Sequence, residues 1–301
     1  MKVAVLGPGG VGGLLAAALE RDGHELVVIA REETAQLIAR RGIAVESVAF
    51  GELLARPRAV TELQEPVDAL IVATKAIGLE EALERVAVEP ALVLPLLNGL
   101  DHLALLRRRF AADTVLAGSI RVEADRPAPG VVVHTSPFLL VTMASSALSM
   151  AAPMARLAGA LDAAGVPAEV LDSEADVMWS KLVRLNALAC TTSAYDKLLG
   201  EIRSTPELRG DLVASMEEAA AAGRAEGAAV DAASAVAELD RAHATLGSSM
   251  QRDIAAGRTP ELDAIPGSVL RAAARHGLAC PTIDRLVTII AARAGIEPPR
   301  V

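Results

Sequence analysis

Lys181, Glu261, Asn98 and Ser249 are the side chains of this sequence best suited to handling a carbonyl compound. Lys181 lies in Met178-Trp179-Ser180-Lys181-Leu182-Val183, an otherwise apolar helical run that also carries the only tryptophan. Glu261 belongs to the polar stretch 257–263, which follows Ser248-Ser249-Met250-Gln251-Arg252-Asp253-Ile254 in a chain dominated by alanine and leucine. Asn98 precedes Gly99, directly after the apolar run 91–97. Turning a ketone into an alcohol with a hydride donor needs few protein groups. Hydride adds to carbon, and the oxygen must receive a proton or be held by a cation as charge develops. A partly buried ammonium suits that task, because desolvation moves its pKa toward neutrality. A carboxylate would orient it, and hydroxyl or amide groups would hold a substrate carboxylate. Each residue also has an ordinary reading: Lys181 reaching solvent along its stem, Glu261 a helix-start charge, Asn98-Gly99 a turn.

Such groups need a donor of hydride, and the start of the chain suggests where one would bind. In Lys2–Gly13, KVAVLGPGGVGG, a β-branched run breaks into glycines and continues as the small, apolar stretch 14–19. Val3–Leu6 reads as a strand buried on both faces and 14–19 as the helix that follows. Gly7, Gly9 and Gly12 satisfy G-x-G-x-x-G: the first for a tight turn, the second for approach of a pyrophosphate, the third for packing helix on strand. With a second strand at Glu25–Ile29, this context predicts a dinucleotide site over Gly7, Pro8, Gly9, Gly10, Val11 and Gly12. An NAD-binding strand of this kind ends in Asp or Glu, for the ribose 2′-OH. Here the strand ends in Ala30 and Arg31 follows, which fits a 2′-phosphate and hence NADP(H). The other reading of Arg31 is a solvated charge pairing with Glu32 and Glu33. Lys75, after the buried run 67–74, is placed at a strand's carboxyl end to reach cofactor phosphate or ribose.

The rest of the chain changes class once. Helices are expected at 34–41, 79–86, 101–110 and 154–164. Strands are expected at 43–48, 59–61, 67–74, 91–97, 115–120, 130–134, 139–143 and 168–171, with a turn at Arg126-Pro127-Ala128-Pro129-Gly130. Pro95 marks its strand as irregular or at an edge. After Asp172 everything reads as helix: 174–190, 206–226, 232–246, 265–276 and 283–294. The expected architecture is an α/β N-terminal Rossmann-type domain with a mostly parallel sheet, followed by an all-α C-terminal domain, divided as 1–170 and 171–301. The Ala-rich run 217–239, with its small-residue block Ala219–Gly223, predicts closely packed helices and a candidate contact in a homodimer.

Just over half of the residues are hydrophobic and the net charge is -9, which speaks against a nucleic-acid partner. Cys190 and Cys280 lie far apart and read as buried thiols in a reducing compartment. The histidines form no i,i+4 metal pair, so no metal is expected. With no leader read ahead of the first strand and no apolar run near the ~18 residues of a membrane span, a soluble cytoplasmic protein is expected, with no membrane partner.

Taken together, these motifs resemble the ketopantoate reductase (2-dehydropantoate 2-reductase) family. The glycine loop near Met1, Thr74-Lys75, Asn98-Gly99, Trp179-x-Lys181, Ser248-Ser249-Met250 with Asp253, Glu261-x-Asp263 and Ala279-Cys280-Pro281-Thr282 follow the family's order across nearly the whole chain. The resemblance implies NADPH-dependent reduction of a small-molecule 2-oxo acid, 2-dehydropantoate to pantoate, in pantothenate and coenzyme A biosynthesis. It assigns the glycine loop, Arg31 and Lys75 to the cofactor, and Asn98 to cofactor and substrate. It makes Lys181 the general acid, sets Ser249 on the substrate carboxylate, and has Glu261 close the cofactor and lysine side. One departure stands out. The family reads K-x-x-x-N, but Leu185 occupies that position and Asn186 follows it, about 100° around the helix; Ala189 replaces a further asparagine. Leu185 and Asn186 are both candidate substrate contacts. Two other readings stay open: a related NADP-dependent dehydrogenase of another 2-oxo or 3-hydroxy acid, and a non-catalytic NADP(H)-binding regulator.

Overall fold

Lys2–Leu6 contains no polar side chain beyond Lys2 and forms β1, whose residues Val3 to Leu6 are almost wholly buried. The computed structural model describes residues 1–300. It divides into two units, one of Met1–Leu97 with His102–Val177, the other of Asn98–Asp101 with the chain from Met178 onward.

In the first unit β1 is followed by α1 (Gly10–Arg21), β2 (Glu25–Ile29), α2 (Glu32–Arg41), β3 (Ile43–Ser47), β4 (Gly51–Ala55), β5 (Arg58–Val60), β6 (Ala69–Val72), α3 (Leu79–Leu83), β7 (Val93–Pro95) and α4 (His102–Arg109). A second β-rich stretch gives β8 (Ala117–Arg121), β9 (Ala124–Ala128), β10 (Val131–His134) and β11 (Leu140–Ala144), then α5 (Ala151–Ala163) and β12 (Ala168–Val170). The five-stranded sheet runs β5-β2-β1-β6-β7 and is parallel throughout. This is a Rossmann-type order, in which the strand sequence reverses between β1 and β6. Val3 and Val5 pack on one face with α1, Ala4 and Leu6 on the other with Leu106 and Phe110. Two-sided burial is why these strands read as continuous apolar runs. β7, carrying Pro95, is at the sheet edge, where a missing N–H is tolerated. A second sheet, β4-β3-β10-β9, packs on the far side of α1, and a third has the order β12-β11-β8.

Two strands escape the sequence patterns. β4 (GELLA) and β9 (ADRPA) lack alternation and β-branched residues because they are outer strands of the second sheet. Arg126, Pro127 and Ala128 therefore belong to β9, and the turn is confined to Pro129-Gly130.

From Glu174 the chain is helical: α6 (Glu174–Tyr195), α7 (Leu199–Ser204), α8 (Pro206–Ala225), α9 (Ala232–Arg241), α10 (Ser249–Ala255), a π-turn at Asp263–Gly267, α11 (Ser268–Arg275) and α12 (Pro281–Ala294). α6 runs five residues beyond Cys190, and Arg293 closes it by donating to the carbonyls of Ser193 (2.5 Å) and Ala194 (3.2 Å). The helix expected through 246 stops at Arg241, where Arg203 gathers the carbonyls of Leu239, Asp240 and Ala242 at 2.8, 2.6 and 3.0 Å. α7 and α10 are too short to show a helical period. Pro266 interrupts the helix expected from Ile265: it has no N–H, and Gly267 N bonds Leu262 O at 3.1 Å in π geometry. The small-residue block is used inside the chain, with Ala219, Ala220, Ala222 and Gly223 buried. A Cβ at Gly223 would lie 3.0 Å from the Trp179 ring. Among the described residues no helix is long and apolar enough to cross a membrane.

Candidate active site

In the first unit, the loop between β1 and α1 sits at the carboxyl end of the sheet, where β1 and β6 part in strand order. Gly7 has φ +90°, a left-handed conformation, and a Cβ on it would lie 2.8 Å from Thr74 Cγ2. A Cβ at Gly9 would meet nothing within 4 Å, so the space over the loop is open. At Gly12 a side chain would run into Gly7 O and lie 3.0 Å from Val5 Cγ1, so its absence lets α1 sit directly on β1. No side chain caps α1 and its first turn holds no acidic residue. The N–H groups of that turn are thus left for an anion. Pro8 is buried, while Gly10 and Val11 are partly exposed. Thr74, which the sequence marked only as part of Thr74-Lys75 and gave no role of its own, has a buried Oγ1 with no hydrogen-bond partner. The signal was a hydroxyl residue ending a buried run at a strand's carboxyl end.

Arg31 follows the carboxyl end of β2 and is the exposed N-cap residue of α2. Its guanidinium lies 3.5 Å from Glu81 of α3, so its acidic neighbour comes from another element and not from the adjacent glutamates. Lys75 is exposed just beyond β6.

In the second unit, three of the predicted residues meet. Lys181 Nζ donates to Asn98 Oδ1 at 2.9 Å, and Asn98 Nδ2 donates to Glu261 Oε2 at 2.9 Å. An ammonium can only donate and a carboxylate only accept, so the amide has one orientation that serves both. Asn98, 83 residues from Lys181 and 163 from Glu261, is the link between the two charges. Sequence reasoning had Glu261 act on the lysine side; the amide between them is visible only in the fold. All three side chains are partly exposed, so the group is open to a ligand.

Each arm is set locally. Trp179 is buried on α6 against α8, and Lys181, two residues on, falls on a stripe of exposed Ser180 and partly exposed Lys181, Arg184 and Leu185. Gly99 has φ +84°, and a Cβ there would collide with the carbonyl of Ala264. Glu261 opens the turn that Pro266 diverts, Ile265 N bonding Glu261 O at 3.0 Å.

The remaining predicted residues separate. Leu185 is half-buried, one turn from Lys181 on the same stripe. Asn186 is 0% exposed, its Oδ1 accepts from Cys190 Sγ at 3.6 Å, and its Nδ2 has no partner. It faces the interior and does not join the Lys181 group. Ser248, not Ser249, caps α10: its Oγ accepts from Gln251 N at 3.0 Å and bonds Thr192 Oγ1 at 2.8 Å. Ser249 is exposed at the first position of that helix. Cys190 and Cys280 are free and buried; burial first, then the charge of Glu218, pushes the Cys280 thiol up to about 11 and Cys190 higher still. Both stay protonated.

Residues 3–144 match the ketopantoate reductase PanE/ApbA family, and residues 175–294 match the ketopantoate reductase PanE/ApbA C-terminal family. The 2-dehydropantoate 2-reductase of Mycobacterium tuberculosis (strain ATCC 25618 / H37Rv) is 32% identical over 301 residues, 96% of this chain and 97% of that protein. The PanE/ApbA family ketopantoate reductase of Ralstonia eutropha JMP134 has a TM-score of 0.86 at 26% identity, covering 98% of this chain and 99% of its own. D-mandelate dehydrogenase, solved with NADH and anilino(oxo)acetate, has a TM-score of 0.89 at 23% identity over 99% of this chain and 100% of its own, a likeness of fold.

Proposed function

The chain belongs to the ketopantoate reductase family of oxidoreductases, and from that premise we propose that it reduces a 2-oxo acid to the 2-hydroxy acid with NADPH, its substrate being 2-dehydropantoate and its product pantoate. The observation that carries this reading is the hydrogen-bonded run from Lys181 through Asn98 to Glu261.

NADPH, when bound, supplies the hydride that adds to the carbonyl carbon. The first unit fits such a group: Gly9 leaves room for a pyrophosphate over the N-terminus of α1, and the buried Thr74 hydroxyl has a hydrogen bond to give. Arg31 and Lys75 bring positive charge for the 2′-phosphate and ribose. Lys181 holds the substrate's carbonyl oxygen with its ammonium and passes one proton to it as C=O becomes C–OH. The amine left behind regains a proton from solvent. Asn98 Oδ1 fixes the direction of Nζ, and Glu261 keeps that amide from turning its N–H groups toward the lysine. Ser249 donates its hydroxyl to the substrate carboxylate.

Leu185 favours a second substrate within the same chemistry. It cannot offer a substrate hydroxyl the hydrogen bond of the family's asparagine, and Asn186 is buried away from the site. A 2-oxo acid with an apolar side chain, such as 2-oxoisovalerate, suits that wall. Both readings are tested by following NADPH oxidation with a panel of 2-oxo acids that includes both compounds. No turnover with any of them, while NADPH still binds, would make the chain a binder and not a reductase.

A further inference from the structure

Asn98 and Glu261 lie 163 residues apart in the chain, and their hydrogen bond requires two backbone segments to be held in register. Arg271, on α11, reaches both. Its Nη2 and Nε donate to Asp101 Oδ2 at 2.7 and 3.3 Å. Its Nη1 donates to Asp263 Oδ1 at 2.8 Å, and Nη2 also donates to the Asp263 carbonyl at 2.9 Å. A further bond joins Nη1 to Arg300 O at 3.0 Å. Asp101 is three residues after Asn98 and Asp263 two after Glu261. One guanidinium therefore ties the backbone that carries the amide to the backbone that carries the carboxylate. Its rigid planar fork serves two carboxylates and two carbonyls at once, more acceptors than the three N–H donors of a lysine ammonium can meet.

The local packing is arranged around this tie. A Cβ at Gly267 would lie 3.2 Å from both Arg271 Nη1 and Asp263 Oδ1, so the missing side chain leaves the guanidinium its path. Without the cation, Asp101 and Asp263 lose the bonds that join the two segments, and their exposed carboxylates are left to solvent.

We propose that Arg271 is a positioning residue of the candidate site, acting on Lys181 through Asn98 by holding the Asn98–Asp101 segment against the Glu261–Asp263 turn. This rests on the functional reading above only for its kinetic readout. Arg271→Met should lower kcat about 10- to 100-fold, as misplacement remote from the chemistry does, and leave the Kd for NADPH within about twofold. In an Asn98→Ala background the same substitution should cost less than about twofold, because the residue it acts through is gone. Arg271→Lys should recover part of the loss. If Arg271→Met does not fold, Arg271→Lys and Asp101→Asn make the same comparison. An undiminished kcat, or an equal loss in both backgrounds, overturns the proposal.

A second measurement needs no turnover. The Asn98 side-chain amide, identified in a 1H–15N spectrum by its loss in Asn98→Ala, should be displaced from free asparagine in the wild type and return toward it in Arg271→Met. An amide unmoved by Arg271→Met overturns the proposal. A wild type that reduces no 2-oxo acid yet shows this movement would overturn the reductase reading and leave the tie standing.

Discussion

Gly99→Ala should damage this protein far more than an ordinary glycine replacement, and the site with it. The backbone at Gly99 has φ +84°, where an alanine costs about 1–2 kcal/mol. In addition, the new Cβ would overlap the Ala264 carbonyl oxygen and lie 2.7 Å from its carbon. That neighbour is backbone of the turn just after Glu261 and cannot rotate away, so the two segments must separate. Forced shifts of this kind cost about 1–3 kcal/mol, and the Asn98–Glu261 bond adds about 1 kcal/mol if it breaks. Gly277 supplies the control: its φ is +65°, but a Cβ there would meet nothing within 4 Å. At about 2–4 °C per kcal/mol, Tm should fall by about 4 °C in Gly277→Ala and about 10 °C in Gly99→Ala. Scanning calorimetry on both variants measures the difference, which isolates the clash. Kinetics at a temperature where Gly99→Ala remains folded should show kcat about 10- to 100-fold down, with Gly277→Ala unchanged. Equal Tm losses in the two variants, or a normal kcat in a folded Gly99→Ala, would refute the reasoning.

Lys181→Ala should lower kcat by ~10²–10⁴, the range general acid catalysis supplies, with NADPH affinity nearly unchanged; steady-state rates and a fluorescence titration decide. Arg31→Asp should weaken NADPH about 10- to 100-fold, the loss of a charge-assisted fork, and relatively favour NADH; wild-type Kd values equal for the two cofactors would contradict the assignment of Arg31. Leu185→Asn should move kcat/KM toward 2-dehydropantoate and away from 2-oxoisovalerate by about tenfold, one hydrogen bond's worth, read from competition between the two acids. His134 is 1% exposed and bonded to Ser47 and Ser136, and burial pushes it below its ordinary 6.5, against opposing backbone contacts of Ser136 and Phe138. The unfolded chain then binds more protons below that pH, so stability is full above 6.5 and is lost as pH falls toward the depressed folded value. His134→Gln should be less stable at neutral pH but lose less Tm between pH 7 and 5; parallel Tm curves would exclude His134 as the cause.

What the sequence determined by itself is whatever short-range pattern controls. A β-branched run, three spaced glycines and a small apolar helix specify β1, its turn and α1 through neighbours only. Two-sided burial then shows in the unbroken apolar character of β2, β6 and β7. The long helices of the second half were equally legible, because α6, α8 and α12 are long runs with no proline beyond the first turn. Even Pro95 declared an edge strand, since a missing N–H acts locally. β4, β9, α7 and α10 were not legible: they are short, and their partners rather than their own composition hold them. The site divides the same way. Lysine in an apolar helix, a polar stretch after α9 and Asn-Gly after a strand mark Lys181, Glu261 and Asn98 as unusual. That the amide of Asn98 lies between the ammonium and the carboxylate depends on contacts across 83 and 163 residues. Helix rotation offered Leu185 and Asn186 as alternatives, and only packing turned one toward the lysine stripe and the other into the interior. Ser248 takes the cap and leaves Ser249 outside for a like reason. Which of two adjacent residues faces inward is fixed by the element packed against them, and that element lies elsewhere in the chain.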